Sequence, residues 1–280
     1  MRKFAAFILS HGRPDNVRTL KTLRRSGYTG AVYFIVDNED KTIDRYRENF
    51  GAENVIVFDK KAMADRVDEA NNFDNRRVIL HARNASFDIA DQLGLTHFWQ
   101  LDDDYFKFMF RGGRGKHIDG GSKIIGNLDL VLSHVLDFFD STPVKTIAFS
   151  QGGDHIGGFS GVRLKRKAMN SFVCSTARRF QFVGSINEDV NTYVWRGSLG
   201  DLFLTFTGLQ LDQTATQEAG GGMTGIYQER GTYVKSFTSV LFAPSAVRVT
   251  MMSTKHQRLH HVIDWGAAVP CIVPASAQKT

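Results

Sequence analysis

Short apolar runs alternate with amphipathic stretches along the first part of the chain. Phe4 to Leu9 is apolar and stops at the polar turn Ser10-His11-Gly12-Arg13-Pro14. Asp15 to Arg25 then carries Val17, Leu20 and Leu23 at helical spacing, with Pro14 and Asp15 as start signals and Gly27 and Gly30 as stops. Ala31 to Val36 predicts a second buried strand ending at Asp37-Asn38. Lys41 to Asn49 predicts a helix closed by Gly51, and Val55 to Phe58 a third strand ending at Asp59. Arg77 to Leu93 reads as a helix closed by Gly94, before a strand from Phe98 to Leu101. Apolar strands in alternation with helices predict an α/β fold, with a mostly parallel, Rossmann-like central sheet covered on both faces. Ligands of such sheets sit at the carboxyl ends of the strands. Ser10-His11, Asp37-Asn38, Asp59 and Asp102 to Asp104 are therefore expected to converge on one crevice.

The second half is patterned differently. Leu128 to Phe139 predicts an amphipathic helix and Thr146 to Ser150 a strand. Beyond them the strands look irregular and glycine-separated, and Gln213 to Gly225 reads as a polar loop. No internal repeat or linker divides the chain, so residues 1–280 are expected to form one domain, with halves 1–110 and 111–280.

Composition adds bounds. With 280 residues, 42% of them hydrophobic, the chain can bury a full core. A net charge of +6 favours an anionic partner. Cys174 and Cys271 fit no metal spacing and read as reduced thiols of a cytoplasmic protein. No apolar run is long enough to span a bilayer. Met1-Arg2-Lys3 and the apolar run after it imitate a signal peptide, but the run is too short and lacks a small-residue cleavage site.

The candidate chemistry centres on His97-Phe98-Trp99-Gln100-Leu101-Asp102-Asp103-Asp104. An apolar strand that ends in adjacent carboxylates needs a counter-charge, and hard divalent cations take oxygen ligands. Strand alternation would put Asp102 and Asp104 on one face and Asp103 on the other. The plain alternative is a charged turn. Arg83-Asn84 lies on the preceding helix, where an arginine either clamps phosphate with its planar fork or forms a surface ion pair. Asn187-Glu188-Asp189 follows an apolar segment; such acids suit a general base, or simply a helix start. His256, His260 and His261 are candidate metal ligands. Arg111, Arg114 and Lys116 on a glycine-rich loop, the run Arg163, Lys165, Arg166 and Lys167, and Arg178-Arg179 suit phosphate-backbone contacts. Phe159, Phe172, Phe180 and Phe182 are available to stack on bases or to fill the core. Walker A, His-Glu-x-x-His and Cys-x-x-Cys motifs are absent. Gly220-x-Gly222-x-x-Gly225 matches a dinucleotide fingerprint, but no apolar strand precedes it.

In this order, the groups resemble the nucleotide-sugar glycosyltransferases of the GT-A fold. Ile8 to Pro14 resembles their first strand and nucleotide-binding turn, and Asp37 falls where they often contact the nucleoside. Ala82-Arg83-Asn84 and Phe98 to Asp104 resemble their Arg-Asn helix and Asp-x-Asp strand. Gly157 to Gly161 resembles their acceptor-side strand, Glu188-Asp189 their acid pair, and His260-His261 their late metal-binding histidine. More narrowly, Ile8 to Pro14, Arg83 to Asp104, Glu188-Asp189 and His260 through Trp265 to Pro270 are similar to the phage TET-associated glycosyltransferases.

That resemblance implies a GT-A-like domain, with a nucleotide-sugar half and an irregular acceptor half. It implies a UDP-sugar donor, a divalent metal (Mn2+ or Mg2+) and hydroxymethylated pyrimidines in DNA as acceptor. Metal would fall to Asp104, Asp102 and His261; donor contacts to Ser10, His11, Arg13, Asp37, Arg83, Asp102 and Asp103; catalysis to Asp189 or Glu188. DNA contacts would fall to Arg111, Arg114, Lys116, Lys165, Arg166 and Lys167, with Arg111 to Gly121 as a lid. A nucleotidyltransferase of related sheet architecture and a non-enzymatic DNA-binding module are the competing readings.

Overall fold

A computed structural model describes residues 2–70, 78–111, 123–151, 162–163, 171–213, 224–253 and 257–269. The first half follows the apolar pattern closely. Strand β1 (Phe4–Leu9) leads to α1 (Arg18–Arg25), β2 (Ala31–Asp37), α2 (Ile43–Phe50), β3 (Val55–Phe58) and the short α3 (Lys60–Ala64). Then come α4 (Leu80–Gln92), β4 (His97–Asp102), β5 (Tyr105–Phe110), β6 (Lys123–Ile124), α5 (Leu128–Asp140) and β7 (Thr146–Ser150). The second half contributes β8 (Val162–Arg163), β9 (Phe172–Ser175), α6 (Glu188–Ser198), β10 (Phe203–Gln213), α7 (Thr224–Phe242), β11 (Val247–Ser253), β12 (Gln257–Ile263) and α8 (Trp265–Ala268).

The strands form one ten-stranded sheet in the order β3-β2-β1-β4-β9-β7-β10-β5-β6, with β8 also on β10. From β3 to β4 the pairing is parallel. Strand β9 then runs antiparallel to both β4 and β7. Strand β10 is parallel to β7 and antiparallel to β5. This is the expected α/β sheet, compatible with a GT-A-like fold, its parallel part concentrated in the first half. Strand β1 sits between β2 and β4, so the strand order reverses there. In open α/β sheets such a switch point is where ligands bind, outside the carboxyl ends of the strands.

Alternation along β1 divides the core. Ala5, Phe7 and Leu9 face a cluster that includes Phe87, Ile89, Val190 and Val194 from α4 and α6. Ala6 and Ile8 face the other cluster, with Leu23, Tyr46, Leu132 and Phe139 from α1, α2 and α5. Each fully buried Phe or Leu contributes roughly 1.5–3 kcal/mol relative to exposure. The aromatic reading of Phe172, Phe180 and Phe182 resolves in favour of core, since all are buried and pack on one another.

Helix α7 replaces the irregular strands expected over Thr224–Phe242, whereas β11 and β12 after it are strands. Its described side chains Val234 and Val240 pack on the first core cluster. Strands β11 and β12 form a separate two-stranded sheet. Among the described residues, no helix is long and apolar enough to cross a membrane. Cys174 is buried and unpaired, and burial pushes its thiol up to about 12. Cys271 lies outside the described residues.

Candidate active site

The site is built from loops that leave the carboxyl ends of the strands, and most of its members are locked before any ligand arrives. After β1, the Ser10 hydroxyl donates to Asp103 Oδ2 at 2.5 Å. With that proton committed, the Tyr46 hydroxyl, 2.7 Å from Ser10 Oγ, acts as donor to it. The Arg13 backbone N–H in turn donates to Tyr46 at 3.0 Å. Gly12, at φ 68°, donates its N–H to Asp40 Oδ2 at 2.6 Å. Arg13 Nη2 closes the network on Asp103 Oδ1 at 3.1 Å. Asp103 is 1% exposed; burial pushes its carboxyl up, opposed by Arg13 and Ser10.

Strand β4 ends at Asp102, and Asp103-Asp104 form the turn into β5. The alternation argument therefore holds for Asp102 and Asp103, which reach different partners, but does not extend to Asp104. The turn is held by α1, because Arg18 N and Thr19 N both donate to Asp103 O, at 2.8 and 3.2 Å. Burial pushes Asp102 up to about 7, with Asp104, Asp103 and Glu188 adding to the rise and Arg83 opposing it. Burial and the Asp103 charge push Asp104 up to about 6, opposed by Arg13 and Arg18.

Arg83 joins the two acidic groups. It is 1% exposed, and its guanidinium is 4.9 Å from the Phe172 ring and 5.8 Å from the Phe182 ring. Its Nε donates to Glu188 Oε1 at 3.1 Å, and its Nη2 donates to Asp102 Oδ1 at 3.3 Å. Burial alone would lower its pKa, but Asp102 and Glu188 outweigh that and hold it charged. The surface-ion-pair reading of Arg83 is thereby replaced by a buried one. The next residue fastens the same junction: Asn84 donates to Phe182 O and accepts from Phe182 N, at 3.0 and 2.8 Å. Nothing in the spacing signalled that clamp.

Helix α6 begins at the acid pair. Its cap Asn187 adopts φ 56°, and its amide donates to Lys235 O at 2.7 Å and Ser239 Oγ at 3.2 Å on α7. Glu188 is buried and its carboxyl is pushed up by burial and by Asp189, against Arg83. Asp189 is half-buried, and accepts from its own helix at Val190 N, 2.8 Å. The helix-start reading of the pair holds, and the fold also brings Glu188 against Arg83.

At the ends of β1, β2 and β3, His11 Nδ1 lies 2.6 Å from Asp37 Oδ2, and Lys60 Nζ lies 3.2 Å from Asp37 Oδ1. Burial pushes the Asp37 carboxyl up, but the His11 hydrogen bond and the Lys60 charge outweigh it and hold it below the usual carboxylate range. The expected role of Asp59 passes to its neighbour. Asp59 caps α3 by accepting from Ala62 N at 2.9 Å, and Lys60 is the residue that turns inward. Lys60, Asp40 and Tyr46 were missed from sequence; Tyr46 was signalled only by its helical spacing with Ile43 and Phe50.

Other expected members lie elsewhere. Arg111 is bound to Gln210 on β10. Arg178 caps carbonyls of Phe139, Thr142 and Val144, and Arg179 pairs with Asp88 and Asp91, so this run is structural. Arg114, Lys116, Lys165, Arg166, Lys167, His256, most of the proposed lid and the glycine-rich segment from Gly157 to Gly161 lie outside the described residues. His261 is buried on β12, in the separate sheet, and its ring stacks on His260. Among the described residues, no three His, Cys, Asp or Glu side chains come together as a metal site. Asp102 and Asp104 still offer what a hard cation takes, crowded carboxylate oxygens in excess of their cationic partners. Magnesium-like ions are commonly held by one or two carboxylates together with substrate phosphates and water.

No curated protein matches the chain significantly. A family model described as TET-Associated Glycosyltransferase matches residues 4–222, a stretch that runs from β1 past β10 and takes in the acidic turn, Arg83 and the acid pair. That match sets aside the nucleotidyltransferase and binding-module readings: the chain belongs to the TET-associated glycosyltransferase family and is a glycosyltransferase.

Proposed function

We propose that the protein transfers a sugar from a UDP-sugar to a hydroxymethylated pyrimidine in DNA, with a divalent cation at Asp102 and Asp104. The observation that carries this reading is the double engagement of Arg83, which binds Asp102 and Glu188 together and so sets a donor-side acid beside an acceptor-side acid pair. A cation held by Asp102 and Asp104 would offset charge on the departing diphosphate.

The chain's own residues account for the rest. The Ser10–Tyr46–Arg13–Asp103 network holds the donor loop in place before binding, so little ordering is left for the complex. Glu188 is committed to Arg83, which leaves Asp189 as the base. Asp189 accepts the proton of the acceptor hydroxyl as its oxygen bonds to the anomeric carbon, while the bond from that carbon to the diphosphate oxygen breaks. One displacement of this kind inverts the anomeric centre. The acceptor reading follows the family, and the net charge of +6 suits it. So does the exposed side of α1, where Arg18 and Lys21 stand without a carboxylate on the helix, while Arg24 and Arg25 hold carbonyls of Tyr28, Gly30 and Phe106. A base within a duplex would be turned out of the stack to reach the site.

The test is a transfer assay with Mn2+, a panel of nucleotide sugars and DNA with or without hydroxymethylcytosine, read as released nucleoside diphosphate and DNA mass gain. Asp104→Asn is expected to abolish transfer at an unchanged melting temperature. Full activity of that variant in chelator would overturn the metal reading, and release without mass gain would overturn the acceptor.

A further inference from the structure

Both oxygens of Asp37 are occupied from within the protein. Oδ1 accepts from Lys60 Nζ at 3.2 Å and Glu39 N at 3.1 Å, and Oδ2 accepts from His11 Nδ1 at 2.6 Å. The Asp37 side chain is 6% exposed, while His11 is 45% exposed. The group that meets the crevice at this end is therefore the imidazole. Its backbone is held on both sides, by Ser10 on Tyr46 and by Gly12 on Asp40. A neutral imidazole that donates from Nδ1 carries its lone pair on Nε2, so the Asp37 bond selects the tautomer. Lys60 balances the charge of Asp37 from behind.

Lys60, Asp37, His11 and Asp103 follow the sheet order β3, β2, β1, β4. The acidic turn and Arg83 lie at the β4 end of that row, where the diphosphate and the transferred sugar belong. The nucleoside is left for the β3–β1 end.

We infer that His11, its tautomer set by Asp37, reads the donor nucleobase by accepting a ring N–H at Nε2. The inference rests on the nucleotide-sugar reading above. Uracil and thymine carry such an N–H at N3 and guanine carries one at N1. Cytosine N3 and adenine N1 present lone pairs at the same edge, which face Nε2 as acceptor against acceptor. Asp37 is then a positioning residue that acts through His11 rather than a nucleoside contact.

Calorimetric titration of the full chain with UDP, dTDP, GDP, CDP and ADP in Mn2+ tests this. At least one of UDP, dTDP and GDP is expected to bind about 10-fold or more tighter than CDP and ADP, since a site matched to a donor group rejects analogues that lack it. His11→Ala should bring the ratio to near unity while diphosphate-driven binding persists. Asp37→Asn offers an amide N–H to Nδ1, moves the imidazole proton to Nε2 and should shift preference toward CDP. A wild type without preference, or a His11→Ala variant that retains the ratio, would overturn the inference and leave the donor site standing. Absence of binding by every nucleoside diphosphate would overturn both. Melting curves of the variants confirm the fold, and Asp37→Asn supplies an independent reading of the same tautomer.

Discussion

Arg83→Met removes the guanidinium but keeps most of the apolar stem beside Phe172 and Phe182. Two carboxylates lose their partner at once, Glu188 at 3.1 Å and Asp102 at 3.3 Å. Breaking a buried ion pair by removing one member costs about 3–5 kcal/mol, because the other charge stays buried and unpaired. Asp102 retains 20% side-chain exposure, so water relieves part of its share. The expected loss is about 3 kcal/mol. For a domain of this size, each kcal/mol moves the midpoint by roughly 2–4 °C, so melting should fall by about 6–12 °C. Urea unfolding at pH 7.5, followed by tryptophan fluorescence, measures the difference directly. The cycle with Glu188→Gln separates a charge effect from lost packing. The double variant should be less destabilised than the sum of the single variants, by about 1–2 kcal/mol, since one orphaned charge is gone. A loss under about 1 kcal/mol for Arg83→Met, or strict additivity in the double variant, would refute the bridging role.

Three further outcomes follow from the geometry. Asp189→Asn should reduce transfer by about 100-fold or more with an unchanged melting temperature, because among the described residues the half-buried carboxylate accepts a hydrogen bond from its own helix N–H alone; retained kcat would pass the base role to another group. Lys60→Met should cost about 2–3 kcal/mol at pH 7 by stranding buried Asp37. Because the folded Asp37 carboxyl sits below its ordinary value, its contribution is present above the unfolded pKa of ~3.9 and fades as pH falls through the folded one. Equal penalties for Lys60→Met at pH 7 and pH 3.5 would contradict this assignment. Gly184→Ala should destabilise by about 2–4 kcal/mol, since φ is 84° and the added Cβ would stand 2.2 Å from Asn191 Nδ2 and 2.8 Å from Phe242 Cε2. Asn191 itself holds Ile186 O at 2.8 Å, so the start of α6 should shift and kcat should fall in transfer assays.

The apolar pattern by itself determined the first half of the fold. Phe4, Ala31 and Val55 each begin an element where the pattern places one, because a strand buried on both faces and a helix buried on one each leave a periodic trace. It also delivered the acidic turn, Arg83 and the acid pair as candidates, since a charge next to an apolar run is conspicuous. Only the tertiary structure decided what these residues do to one another. Arg83 and Glu188 are 105 positions apart, and no local period couples them. The exchange of Asp59 for Lys60 turned on which of two neighbours the end of β3 directs inward. Helix α7 contains Gly225, Gly231 and a run of aromatic and β-branched residues. Glycine disfavours a helix and the aromatic and β-branched residues favour strands locally, and partial burial of Val234 and Val240 against the core overrides those preferences. Binding groups drawn from separate strand ends meet only once the sheet has formed, so their pairing is a property of the fold.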